Sequence, residues 1–228
     1  MDLYAVDSAT GKTTPVTSTH KQSEGPTISP DRRTVVYMAV QPDGGIVLRA
    51  VGADGVGDRP LFPSAPPGCE KAVYRPAWNL VDPNQLALNC ADTQGNFSLR
   101  IITLDGKVVR SLTVGQEMLD DMTWSPDGKT LAFWAGPKSG GGSGSIFTMP
   151  ADGSAAPTKI TDGGAGTDAD PVFSPDGKQI VFNSTRGDGD VDAVINHVLI
   201  MTADGQNLQR LAPDNPFPEQ SSPAWGHR

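Results

Sequence analysis

Apolar positions along this chain fall in short, β-rich runs, and the runs themselves recur. One set reads Thr34-Val-Val-Tyr37-Met38, Gln85-Leu-Ala-Leu88-Asn89, Thr130-Leu-Ala-Phe133-Trp134 and Gln179-Ile-Val-Phe182-Asn183. A second set covers 46–50, 99–102, 146–149 and 198–201, and each run leads into a turn at Asp54-Gly55, Asp105-Gly106, Asp152-Gly153 or Asp204-Gly205. A short piece closes each unit, at Leu61-Phe62, Leu112-Thr113, Lys159-Ile160-Thr161 and Arg210-Leu211. Ahead of the first set stands a block with an apolar or aromatic centre. It reads Pro26-Thr-Ile28-Ser29-Pro30-Asp31, Pro76-Ala-Trp78-Asn79, Met122-Thr-Trp124-Ser125-Pro126-Asp127-Gly128, Pro171-Val-Phe173-Ser174-Pro175-Asp176-Gly177 and Pro223-Ala-Trp225-Gly226. From Ser29 to Asn79, Ser125, Ser174 and Gly226 the steps are 50, 46, 49 and 52 residues.

Each unit therefore predicts four antiparallel strands joined by tight turns, whose Asp-Gly and Pro-Asp-Gly sequences supply the positive φ and preset proline φ that reversals need. No window carries a capped apolar stripe of helical period, so helices are expected to be scarce. Four strands per unit, repeated at this period, predict an all-β fold of the β-propeller type. The first strand of each blade is expected to line the axis, with Trp78, Trp124, Phe173 and Trp225 wedged between blades. A linear stack would leave strand edges exposed at both ends, which a closed ring removes.

The chain opens on third- and fourth-strand material at Tyr4-Ala-Val6 and Pro15-Val-Thr17 and stops on first-strand material at Pro223-Ala-Trp225. The expectation is five blades in a single domain spanning 1–228: four complete, and one composite blade closed by both termini. The composite blade lacks its second strand. Met1 accordingly reads as a start placed before a domain excised from a longer chain, and a sixth blade in the parent stays open as the alternative.

The net charge of −8 and the pI near 4.7 argue against nucleic acid and anionic membrane surfaces, both of which select basic patches. No apolar stretch approaches the roughly 20 residues that span a bilayer, so no membrane insertion of this domain is expected. Cys69 lies in the loop leading into its blade's first strand, and Cys90 ends the second strand of the same blade. Both emerge at one end of a hairpin, within plausible reach of a disulfide's Cα separation of roughly 4.4–6.8 Å. Two separate buried thiols are the competing reading. A disulfide would place the domain outside the cytoplasm.

These repeats resemble those of the TolB-like β-propellers, whose WD-repeat-like unit runs Pro-x-Trp-Ser-Pro-Asp-Gly-Lys, apolar strand, Ser-x-Arg-Asp-Gly, apolar strand, Ala-Asp-Gly, Leu-Thr. The fourth unit matches nearly throughout, at Ser174–Lys178, Ser184-Thr-Arg186-Gly-Asp188, Met201–Gly205 and Leu211. The first two units are degraded: Asp31-Arg32-Arg33 stands for Asp-Gly-Lys, and Asn79-Leu-Val-Asp82-Pro83 for Ser-Pro-Asp-Gly. The resemblance covers essentially the whole chain. It implies a bacterial periplasmic, secreted or cell-surface protein, among them lipoproteins and sensor domains joined to kinases. Similar propellers also cap prolyl oligopeptidase-type hydrolases. Fold does not carry function by itself.

Catalytic chemistry is not evident, and the chain is expected to be non-enzymatic. The three histidines, His20, His197 and His227, have no ligand spacing. No Gly-x-Ser-x-Gly elbow or phosphate-cradling Gly-x-x-x-x-Gly-Lys occurs, and Gly140–Ser145 reads as a flexible loop. What remains is one acidic face. The loops leading into first strands supply Glu24, Arg75, Asp120, Asp121, Asp168, Asp170 and Glu219; the loops between second and third strands supply Asp43, Asp92, Arg186, Asp188, Asp190 and Asp192. Carboxylates gathered there would attract cations or a basic partner. Asp188, Asp190 and Asp192, at alternate positions, offer the oxygen ligands Ca²⁺ takes, but the Glu that closes an EF-hand loop is absent, with Leu199 in its place. Turn and ion-pair roles compete with a metal site, and Asp170 with Arg186 is the candidate pair. No cofactor is expected, Ca²⁺ being the alternative. Trp134 stands outside the repeat pattern and reads either as a packed loop residue or as an exposed anchor.

The reading that results is an extracytoplasmic recognition or sensor propeller. It would bind a protein, peptide or small ligand at the loop face around the channel mouth. The rival readings are the gating propeller of a hydrolase and a pure structural scaffold.

Overall fold

The computed structural model describes residues 2–7, 9–18, 22–41, 45–115, 118–137, 144–163, 166–186, 197–211 and 223–225. Every regular element among them is a β-strand. The chain divides into two compact units, Met1–Thr113 and Val114–Arg228.

In the first unit, β1 (Tyr4–Val6) and β2 (Thr13–Pro15) form a hairpin. Next come β3 (Ser23–Ile28), β4 (Thr34–Val40), β5 (Ile46–Gly52) and β6 (Arg59–Pro60), then β7 (Ala72–Trp78), β8 (Gln85–Ala91), β9 (Phe97–Thr103) and β10 (Val108–Leu112). The second unit holds β11 (Met118–Trp124), β12 (Thr130–Gly136), β13 (Ser145–Pro150) and β14 (Thr158–Lys159), then β15 (Asp168–Phe173), β16 (Gln179–Ser184), β17 (His197–Thr202) and β18 (Gln209–Arg210). Each group of four is an antiparallel sheet whose spatial order is its chain order. The protein is thus an all-β propeller of four-stranded antiparallel blades, with four complete blades among the described residues.

Two details depart from the sequence reading. The fourth strands begin earlier than the apolar pairs expected to form them: Leu61, Ile160 and Leu211 follow the ladder and donate their N–H to Leu48, Ile146 and Val198 carbonyls. The composite fifth blade is not among the described pairings, since β1 and β2 pair with each other and 223–225 joins no sheet.

The recurring Ser-Pro-Asp turn is built from hydroxyl and carboxylate. Ser29 Oγ donates to Asp31 Oδ1 at 2.6 Å and accepts from the Thr34 N–H at 2.9 Å, while Asp31 Oδ1 accepts from the Arg33 N–H at 3.1 Å. Ser125 with Asp127, and Ser174 with Asp176, repeat the set. The serine hydroxyl, followed by the backbone N–H, holds each of these three carboxyls below the ordinary range. The second blade lacks the motif but not the device. Asn79 Oδ1 accepts from the N–H groups of Val81 and Asp82, and Asp82 takes the N–H of Asn84 and the amide of Gln85.

Strand alternation sorts the core. In the first blade Val36, Met38, Leu48 and Ala50 face the second blade and pack with Trp78, Leu86, Leu88 and Ile102 around Cys69 and Cys90. Tyr37, Ala39 and Val51 face the opposite way and pack with Leu3 and Val16 of the hairpin. In the second unit Phe173, Ile180, Phe182 and Met201 pack against Ala132 and Ile146. Full burial of such side chains stabilises by roughly 1.5–3 kcal/mol each. Trp78, Trp124 and Phe173 are buried as expected, and Trp225 is half-buried with its Nε1 donating to the Val172 carbonyl at 3.2 Å. The Tyr37 hydroxyl donates to Asp58 at 2.9 Å, and its pKa is pushed up to about 12, first by burial and then by that carboxylate.

Candidate functional site

The first strand of each of the four described blades carries a β-bulge at one step of the repeat. The register shifts between Glu24 and Thr27, Tyr74 and Ala77, Asp120 and Thr123, and Ala169 and Val172. Opposite the extra residue lie Tyr37, Leu88, Phe133 and Phe182, each 0% exposed. A bulge inserts one unpaired residue, and its first position is commonly a glycine in the left-handed region. The first blade follows that rule with Gly25 at φ 54°. The other three do not: Arg75, Asp121 and Asp170 hold φ of 43°, 41° and 51°. A left-handed conformation costs a non-glycine residue roughly 1–2 kcal/mol, so charged side chains occupy the one strand position where glycine fits best.

This corrects the placement of the acidic face. Glu24, Arg75, Asp120, Asp121, Asp168 and Asp170 lie in first strands, at or beside the bulge, and not in the preceding loops. Charged, glycine- and proline-containing segments look like strand breakers, and the bulge is what lets them stay in the sheet. The start of a first strand pairs with the end of the second, so within each blade these residues share an end with the loop between strands two and three.

Their environments differ sharply. Glu24 is exposed, pairs across the ladder with Met38, and accepts from the Gln22 amide. Arg75 is half-buried and its N–H points at the Met38 sulfur at 3.1 Å. Asp120 and Asp121 are half-buried, and Asp120 Oδ1 accepts the Asp121 N–H at 3.0 Å.

Asp168 is 0% exposed and its carboxylate is fully engaged. Oδ1 accepts from Ser184 Oγ at 2.7 Å and Arg186 Nε at 3.0 Å; Oδ2 accepts from the Gly163 N–H at 3.1 Å and from Arg186 Nη2. The expected pair of Asp170 with Arg186 is therefore replaced by Asp168 with Arg186, because the register sets Asp168 opposite Ser184, two residues from Arg186. Asp170 instead accepts from Asn183 Nδ2 at 2.6 Å. Asp168 thus ties the 163 region to the end of β16 and cannot touch a partner. The half-buried Asp92 is held below its ordinary range by hydrogen bonds from the Asn96 side chain and backbone, a turn role.

Trp134, half-buried, packs so closely on Gly144 that an added Cβ would meet its Nε1 at 1.8 Å, which agrees with the packed reading. His197 is buried, with Arg210 Nη2 at 2.8 Å from its Nδ1. Asp43, Asp188, Asp190, Asp192, Glu219, His20 and His227 lie outside the described residues. Among the described residues no group of three or more His, Cys, Asp and Glu is placed to hold a metal ion. Cys69 and Cys90 form a disulfide with Cα atoms 4.5 Å apart.

No family model matches the chain, and no curated protein matches it in sequence. Solved structures do. The protein assigned as TolB in Agrobacterium tumefaciens aligns with a TM-score of 0.71 at 23% identity, over 91% of this chain and 72% of its own. TolB from Acinetobacter baumannii aligns with a TM-score of 0.71 at 19% identity, over 93% of this chain, which spans 49% of that protein. The tricorn protease aligns with a TM-score of 0.62 at 18% identity, with 92% of this chain on 20% of the protease. At these identities the likeness shows the fold, a TolB-like β-propeller.

Proposed function

We propose that this chain is a non-enzymatic, extracytoplasmic recognition propeller that binds a protein or peptide partner at the loop end of its blades. The observation that carries this reading is that each unit holds charged residues at strained bulge positions of its own blades, Arg75 in the first and Asp121 and Asp170 in the second. Backbone strain persists where the surrounding structure over-determines it, and it clusters at binding sites. Rigid blades hold the variable side chains, the usual division of labour on β scaffolds. The Cys69–Cys90 disulfide supports a location outside the reducing cytoplasm. A composite fifth blade remains part of this reading, as does the periplasmic or secreted setting that the TolB-like fold suggests.

Affinity capture from bacterial cell-envelope extract, quantified against a bead control, tests it. Arg75→Gln, Asp121→Asn and Asp170→Asn combined are expected to lower capture of the dominant partner by about tenfold, equivalent to about 1.4 kcal/mol. Unchanged capture by this folded variant removes the loop end as the site. The tricorn protease likeness keeps a hydrolase-associated propeller as the rival, which an α/β-hydrolase pattern in the parent reading frame would favour.

A further inference from the structure

Between the outer strands of the first blade and the connection to the second lies a cavity of about 390 Å³, lined by none of the bulge residues. Its floor is apolar: Leu48 of β5 is 4% exposed, Val73 of β7 4% and Cys69 1%. Phe62 stands in the wall and rests against Gly106, whose added Cβ would lie 3.4 Å from the ring. The facing side is the connection 61–71, longer than its counterparts 113–117 and 160–167 and carrying Pro63, Pro66 and Pro67. Fixed φ and missing N–H groups keep such a segment from closing onto the sheet by ladder bonds.

Three fastenings hold this connection in place. Cys69 is bonded to Cys90 of β8. The Arg100 guanidinium packs against Gly68 so closely that a Cβ there would meet Nη2 at 2.0 Å. The Glu70 carboxylate accepts the Gly68 N–H at 2.7 Å, which holds it below its ordinary range. The space is therefore built by the chain and braced open; it reaches the loop end of the first blade at Gln41 and Gly45 but is lined by none of the bulge residues that carry the proposed function.

We propose that this cavity binds a neutral, aromatic small molecule. Its volume falls within the roughly 300–1,000 Å³ typical of ligand sites. A charged group on the Leu48, Val73 and Cys69 floor would lose hydration that those three side chains cannot replace, and the polar lining residues Gln41 and Ser64 carry no charge to offset it. The charged lining residues offer no net attraction either. Arg49 Nε is engaged by Asp58 Oδ1 at 2.9 Å, and Glu70 and Lys71, adjacent and opposite in sign, sit exposed at the rim. The Phe62 ring and the neighbouring proline rings supply faces that favour a planar ring over an aliphatic chain.

Indole is the probe, with indole-3-acetate and tryptamine as its anionic and cationic counterparts, read by titration calorimetry and ligand-observed NMR on the whole chain. The expected result is saturable indole binding to one site, with each charged counterpart weaker by about tenfold or more. Ser64→Trp and Ala65→Trp, at exposed lining positions, fill the space; each is expected to weaken indole by about tenfold with Tm unchanged. Equal affinity for the three probes, undiminished indole binding by both tryptophan variants, or no saturable binding up to the solubility limit of indole would overturn the proposal.

Discussion

Replacing Asp168 with Ala is expected to destabilise the second unit by about 3–5 kcal/mol, the scale on which breaking a buried ion pair from one side operates. The carboxylate accepts four hydrogen bonds, two of them from Arg186, and the Ser184 and Gly163 donors are buried away from water while the Arg186 side chain keeps partial exposure. Removal strands the buried Ser184 hydroxyl and Gly163 N–H and takes the counter-charge from the half-buried Arg186 guanidinium, so desolvated donors and lost attraction both contribute. Asp170→Ala is the internal control. That side chain is half-buried and accepts from Asn183, so its loss is expected to cost about 1 kcal/mol. Urea denaturation of the two variants checks the contrast. Equal losses at 168 and 170 would mean that the buried network carries no special weight.

Reduction of Cys69–Cys90, or its replacement by a pair of alanines, is expected to cost the first unit about 3 kcal/mol. A sequence separation of 21 residues closes a loop for which unfolded-state entropy alone supplies roughly that amount. Both sulfurs also lie in the core with Val36, Leu48, Leu88 and Ile102, so the alanine pair adds a small cavity to the entropic loss. Hydrogen exchange localises the effect: amides of β4 and β8 are expected to exchange faster under dithiothreitol while those of β12 and β16 hold. Uniform acceleration across both units would assign the disulfide a global role instead.

Much of this architecture was legible in the repeats, because each strand carries its own signal. The second strands, with Tyr37, Leu88, Phe133 and Phe182 at one step, are apolar runs, and each proves to be buried over most of its length. The serine–aspartate turns were legible as turns, and even the degraded second copy keeps the device through Asn79 and Asp82. Position within the sheet was harder. Glu24-Gly25-Pro26 and Asp168-Ala-Asp170-Pro171 look like loops, since charge, glycine and proline all disfavour strands. The missed signal was alignment: Gly25, Arg75, Asp121 and Asp170 occupy one step of the repeat, three residues before the aromatic or apolar centre of the block. A glycine recurring in register with charged residues marks a bulge.

Burial of Asp168 was not legible, because it depends on which residue the ladder sets opposite. Only the pairing of Asp168 with Ser184 brings Arg186 within reach. The cavity beside the first blade had partial signals in Pro63, Pro66, Pro67 and Cys69, but a braced space depends on how the connection arches, which spacing alone does not determine.

The central claim is that these blades hold charged side chains in a backbone conformation suited to glycine, for the sake of binding. Comparing glycine with alanine at 75 and 121 tests it most directly, since both substitutions remove the charged side chain and glycine's tolerance of positive φ must outweigh its greater unfolded-state freedom. The claim predicts that Arg75→Gly and Asp121→Gly are each more stable than the matching alanine variants by about 1 kcal/mol, while all four lose capture equally. Greater stability of alanine at both positions, as in an ordinary strand, would contradict it.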